Sequence, residues 1–329
     1  MKPSRIYDVL TSLRNQKWPA FLWGPPGVGK SAIVKKLAKS EDLPVIDLRA
    51  SLLDPTDLRG IPAISDGHAI WCPPDFLPKE SDKPGILFLD EINAAPPLVQ
   101  ASLYQLVLDR QIGEYRLPDK WWIVAAGNRQ GDQSVVFRLS SALANRFIHL
   151  DFDTDILDWR NWGIESGLHH LILAFIAFRP QLLLGEPTPG SPAYPTPRSW
   201  HMLSDVIATL GGIENVSDVA PGIIGEAAAT EFKGYIQKSL SEKDYLDIVA
   251  DPSNAKLPTE LGDIYALTSW FAYGAKDQNI RTAASILLSR LPAEFGVVMA
   301  RDMVKGSVTF INESGYKAFI KKHAKLFVS

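Results

Sequence analysis

Up to about residue 150 the chain alternates short apolar runs with stretches of helical spacing. Continuous apolar runs near 20–23, 44–48, 85–89, 121–127 and 147–151 read as buried strands. Apolar positions recurring every three or four residues near 5–14, 30–39, 96–108 and 139–145 read as helices. The alternation predicts a parallel sheet with helices packed on it. Two segments break the rhythm. Residues 59–72 hold an Asp66-Gly67 turn between apolar stretches, and residues 110–118 a turn around Gly113-Glu114, so both predict added hairpins. Beyond Asp153 strand-like runs stop, and helical periodicity recurs near 155–178, 198–210, 216–238 and on to the C-terminus. The interval 185–197 contains five prolines, whose fixed φ excludes a helix and predicts an extended loop. The expected organisation is a core over 1–153 with a hairpin inserted near 60–72, a helical lid over 154–239 and a helical extension over 240–329.

Composition narrows the function classes. With 329 residues, 46% of them apolar and 22% charged, the chain reads as an ordinary globular protein of two or more domains. Lys and Arg total 34 against 37 Asp and Glu, a formal charge of −3, which advertises no polyanionic partner. The single cysteine, Cys72, excludes an intrachain disulfide and any multi-cysteine zinc site, and reads as a small hydrophobe. No apolar stretch approaches the roughly 18 residues of a membrane span, and Met1–Arg5 leads into an amphipathic helix rather than a signal peptide. A cytoplasmic location is expected.

The chemistry concentrates in the first half. Gly24, Pro25, Pro26, Gly27, Val28, Gly29, Lys30 and Ser31 match G-x-x-x-x-G-K-[S/T] between an expected strand and an expected helix. In that context backbone N–H groups turn inward at a helix N-terminus and cradle phosphates. Lys30 then reaches the β- and γ-phosphates, and the Ser31 hydroxyl ligates Mg²⁺. The run Ile86–Glu91 is a buried strand ending in two carboxylates: Asp90 suits the metal's shell and Glu91 the polarisation of an attacking water. Asn128, after the strand 121–127, offers amide donors and an acceptor to a γ-phosphate or a water. Arg146, just before the fifth strand, serves a neighbour's γ-phosphate only if subunits close head-to-tail into a ring, with Arg138 as the second candidate. Arg198, opening the helix after the proline loop, is placed to fold over phosphates as a lid arginine.

These motifs resemble those of the AAA+ ATPases, and within them the MoxR-like group. The narrower likeness lies in Asp54-Pro-Thr-Asp57-Leu58-Arg-Gly60 before the hairpin, in Asp90-Glu91-Ile92-Asn93-Ala-Ala-Pro96-Pro97, and in Gly222–Phe232, over about residues 18–237. The resemblance implies a P-loop αβα sandwich followed by an all-helical lid, with ATP as the nucleotide and Mg²⁺ as its ion. It assigns nucleotide binding to Gly24–Ser31, the metal to Ser31 and Asp90, catalysis to Glu91 and Lys30, the first sensor to Asn128, the inter-subunit finger to Arg146 and the lid sensor to Arg198. It further implies a hexameric ring that remodels a protein client, with a von Willebrand factor A domain protein as partner. Where many relatives have proline after the sensor Asn, this chain has Arg129.

A nucleic-acid-directed AAA+ motor, of helicase or restriction-system type, is the alternative, but Ile61–His68 offers no Lys or Arg to a phosphate backbone. A nucleotide-switched scaffold is disfavoured by the presence of both Asp90 and Glu91. Trp71, with Ile70 and Phe76, is expected to pack its hairpin against the core rather than to grip protein in a pore. His169 and His170 are expected on different helix faces, a poor metal pair. The segment Tyr316–Phe327 reads as a docked amphipathic helix with a solvated lysine face.

Overall fold

The computed structural model describes residues 1–132, 137–187 and 190–327, and the chain divides into two units, Met1–Thr154 and Asp155–Ser329. In the first, α1 (Pro3–Arg14), β1 (Ala20–Trp23), α2 (Lys30–Ser40), β2 (Val45–Arg49), α3 (Pro55–Arg59), the hairpin β3 (Ile61–Ser65) and β4 (His68–Cys72), and β5 (Gly85–Asp90) follow in turn. Then come α4 (Pro97–Asp109), the small hairpin β6 (Gln111–Ile112) and β7 (Tyr115–Arg116), β8 (Trp121–Gly127), α5 (Ser141–Ala144) and β9 (Ile148–Asp151). Five strands form one parallel sheet in the order β2-β5-β8-β1-β9. Alternation along β5 sends Leu87 and Leu89 into a cluster with Val99, Leu103 and Leu106 of α4. Ile86 and Phe88 are equally buried on the opposite face, where α2 packs. Helices therefore cover both faces, as continuous apolar strands require.

The order is the consequential feature. β8 lies between β1 and β5, in register at Leu22↔Ala126 and Leu89↔Ala125. The C-terminal ends of β1, β8 and β5 thus come side by side, and with them the Gly24–Ser31 loop, Asn128 and the paired carboxylates.

The β3–β4 hairpin turns at Asp66 and Gly67, both at positive φ, as a two-residue hairpin loop demands. Its position corrects one expectation. Trp71 is 41% exposed, Ile61 75% and Ile64 86%, so the aromatic does not pack the hairpin into the core. The two strands form a separate sheet, and no residue in either is buried. Cys72 is exposed as well, not a buried hydrophobe.

The second unit is helical among its described residues: α6 (Ile156–Glu165), α7 (His170–Phe178), α8 (Pro197–Thr209), α9 (Pro221–Ile224), α10 (Glu226–Ile236), α11 (Glu242–Ala250), α12 (Leu261–Tyr273), α13 (Gln278–Leu287), α14 (Ala293–Gly306) and α15 (Ser314–His323). The expected helix 155–178 is broken between α6 and α7, where His169 leaves helical geometry and caps α7 through the Leu171 N–H. Outside the helix, His169 stacks on His170 with centroids 4.6 Å apart, instead of facing away from it. Within the expected proline loop 185–197, Thr188 and Pro189 lie outside the described residues. Two apolar clusters meet at α12: Ala266 belongs to one with Phe175, Trp200 and Phe232, and Leu267 and Phe271 to the other with Leu287, Met299 and Phe310. The expected boundary near 239 falls inside this unit. Phe319 of α15 is buried in the second cluster while Lys321 and Lys322 are exposed.

Candidate functional site

The loop Gly24–Lys30 links β1 to α2, and Gly29 caps the helix at φ +108°, a conformation that side chains avoid. No side chain caps this helix, so its first N–H groups point into the loop. The Lys30 ammonium is turned into the same space. It donates to the carbonyls of Gly24 (2.6 Å) and Pro25 (2.9 Å) and to Oδ1 of Asn128 (2.9 Å), with the residue only 8% exposed.

Asp90 closes β5 opposite the loop. Its Oδ2 accepts from the Ser31 hydroxyl at 2.8 Å and its Oδ1 from the Glu91 N–H at 3.0 Å. A carboxylate and a hydroxyl converging in this way are hard oxygen donors. They fit Mg²⁺, which takes one or two protein oxygens and completes its octahedron with phosphate and water. Glu91 adopts φ 56°, ψ 32°, a left-handed conformation rare outside glycine. In that conformation its Oε2 accepts from the Ser51 hydroxyl at 2.5 Å.

Asn128 follows β8. Its neighbour Arg129 ties the same loop to the end of β9, donating to Asp151 through Nε (3.1 Å) and Nη2 (3.0 Å) and to Asp153 (3.2 Å). The Arg129 N–H also donates to Asp132 at 2.6 Å. Lys30, Ser31, Asp90, Glu91 and Asn128 are thus gathered at one sheet edge. Arg146, after α5, is exposed and makes no ion pair among the described residues, and Arg138 is exposed too. Arg198 belongs to the second unit. It lies exposed in the first turn of α8, behind the Thr196–Ser199 capping box.

Sequence reasoning missed two residues of this cluster. Ser51 lies in the turn after β2, and only the pairing of β2 with β5 brings it to Glu91. Asn93 was visible inside the acidic motif, but nothing local to it signals its contact with the Asn128 carbonyl at 2.7 Å.

A family model, the AAA domain (dynein-related subfamily), matches residues 19–147, the span that carries these groups apart from Asp151, Asp153 and the start of α8 with Arg198. No curated protein matches the chain. Among solved structures the chain is similar to NtrX from Brucella abortus in complex with ADP, at 14% identity over 98% of this chain and 68% of that one, with a TM-score of 0.44. It is also similar to the Thermotoga maritima RuvB Holliday junction branch migration motor, at 16% identity over 82% and 80% of the two chains, with a TM-score of 0.40. Likenesses at this level add nothing to the fold described above. The matched span is an AAA domain, an ATPase unit that takes ATP with Mg²⁺.

Proposed function

We propose that this chain is a ring-forming ATPase of the MoxR-like kind, which spends ATP to remodel or activate a protein client and works with a von Willebrand factor A domain partner. The observation that carries the client class is the β3–β4 hairpin. It presents Ile61, Ile64, Ile70 and Trp71 to solvent and contains no Lys or Arg, a surface suited to apolar protein segments and unsuited to a phosphate backbone.

The site residues divide the hydrolysis among them. Lys30 exchanges loop carbonyls for β- and γ-phosphate oxygens, and the loop N–H groups hold the remaining charge. Ser31 and Asp90 would hold Mg²⁺, which supplies charge neutralisation at the phosphates. Glu91 leaves Ser51 to orient the attacking water and take its proton. Asn128 aligns water and γ-phosphate through its amide. Arg146, exposed on one subunit, reaches the site of the next and stabilises the charge that develops on the transferred group, an effect worth about 10³- to 10⁵-fold where such fingers are known. Arg198 reports the nucleotide state to the helical unit.

The test is a trap. Tagged Glu91→Gln is incubated with ATP and a lysate of the source cells, and what it holds is identified by mass spectrometry and nucleic-acid staining. Recovery of a von Willebrand factor A domain protein, lost when ATP is omitted, supports the reading. Recovery of DNA or RNA, lost at raised salt, overturns it in favour of a nucleic-acid motor.

A further inference from the structure

Asn93 lies two residues beyond Glu91, in the turn Ile92–Ala94, and is 3% exposed. Its Nδ2 donates to the main-chain carbonyl of Asn128 at 2.7 Å. A carbonyl oxygen only accepts, so the NH₂ end of the amide must face it, and Oδ1 is turned to the other side. There Oδ1 is buried and has no hydrogen-bond partner among the described residues. It lies against Gly127, where a Cβ would come within 2.3 Å of it. The Asn93 carbonyl in turn accepts from the Phe137 N–H at 2.6 Å.

A buried, half-satisfied amide is costly to keep, and a site that keeps one needs the bond it does make. That bond ties the turn carrying Glu91 to the backbone of Asn128, whose side chain holds the Lys30 ammonium at 2.9 Å. We propose that Asn93 is a positioning residue for ATP hydrolysis. It fixes the Asn128 backbone against the turn Ile92–Ala94, so that the Asn128 amide keeps its geometry on Lys30 and on the γ-phosphate or water. Gly127 is part of the device, since any side chain there would expel the Asn93 amide. The inference rests on the reading of Asn128 as a contact to γ-phosphate or water.

A thermodynamic cycle tests it in the full chain, with Asn93→Ala, Asn128→Ala and the double variant. Steady-state ATP turnover, affinity for a fluorescent ATP analogue and thermal midpoint are measured for each. Loss of one buried hydrogen bond predicts a fall in kcat of roughly 5- to 100-fold for Asn93→Ala, with nucleotide affinity little changed. If Asn93 acts through Asn128, the double variant is no slower than Asn128→Ala alone. Gly127→Ala is expected to reproduce the kinetics of Asn93→Ala. Should Asn93→Ala not fold, Asn93→Ser, whose hydroxyl is too short to reach the carbonyl, carries the same comparison. Wild-type turnover in the Asn93 variant, or losses that multiply in the double variant, overturns the inference and leaves the reading of Asn128 standing. Full turnover in Asn128→Ala overturns both.

Discussion

The ammonium of Lys30 and the Oδ1 of Asn128 lie 2.9 Å apart although 98 residues separate them in the chain. Nothing in either local motif requires this. It follows from the insertion of β8 between β1 and β5, which sets the polar end of β8 beside the loop that leads from β1 into α2.

Lys30 and Glu91 are therefore expected to fail differently. On the proposed reading Lys30→Ala removes a phosphate contact, and it is expected to weaken ATP binding by about tenfold or more, since charge-assisted hydrogen bonds contribute about 1.5–3 kcal/mol. Glu91→Gln keeps the shape of the site and is expected to bind ATP as wild type does while turnover falls by about 10²- to 10⁴-fold. Equilibrium binding of a fluorescent analogue alongside phosphate release separates the two. A Glu91→Gln protein that hydrolyses at the wild-type rate would remove Glu91 from catalysis.

Arg146→Ala is expected to bind ATP almost normally and to lose turnover by roughly 10³-fold or more if it supplies the neighbour's finger. Mixing makes the test specific. Combined with Glu91→Gln subunits, Arg146→Ala subunits keep their own Glu91 and borrow an intact Arg146, so the mixture should regain activity that neither variant has alone. A mixture that stays inactive, or an Arg146→Ala protein that is fully active, moves the role to Arg138.

The second unit depends on a buried ion pair. Arg160 of α6 pairs with Asp302 of α14, the two being 3% and 5% exposed, and also donates to the Leu173 carbonyl of α7 (2.7 Å) and to Ser269 of α12 (3.4 Å). Asp302→Ala leaves a guanidinium buried without its counter-charge and is expected to destabilise this unit by about 3–5 kcal/mol. Replacing both partners by apolar residues of similar volume is expected to restore most of the loss, which thermal or urea unfolding of the wild type and the two variants would show.

Burial pushes the His169 imidazole down to about 4, and burial followed by the neighbouring His169 charge pushes His170 down to about 3. Both lie below the ordinary value of 6.5. The unfolded chain therefore binds more protons than the folded one over this range, and stability rises with pH. It is fully present above about pH 6.5 and drains away as the solution is acidified through 4 toward 3. The thermal midpoint is expected to fall between pH 6.5 and 5, and His170→Phe to flatten that slope. An unchanged slope in the variant would place the titration elsewhere.

The phosphate-binding loop, the acidic pair and Asn128 were legible because each is announced by its own neighbours in the chain: an apolar run ending in the right polar residues. Helix breaks were less legible. The periodicity of 155–178 passes through the gap between α6 and α7, since spacing records which face is apolar and not where the backbone leaves the helix. The β3–β4 hairpin was legible as a hairpin from its Asp66-Gly67 turn, yet its exposure was not. The same apolar residues suit a core strand or a solvent-facing one, and only what packs against them distinguishes the two.

By itself, then, the amino-acid order determined the segments: which stretches are strands, where the phosphate loop turns into α2, and which carboxylates end β5. Those follow from interactions between near neighbours, namely backbone conformation, side-chain alternation and helix capping. The tertiary structure alone decided the order of the strands, and hence that Ser51 meets Glu91, that Asn93 reaches Asn128, and that Arg160 finds Asp302 across the helices of the second unit. Each of these contacts joins residues brought together by long-range packing, whose free energy is shared over a whole sheet or helix bundle and leaves no periodic trace in either partner's own segment.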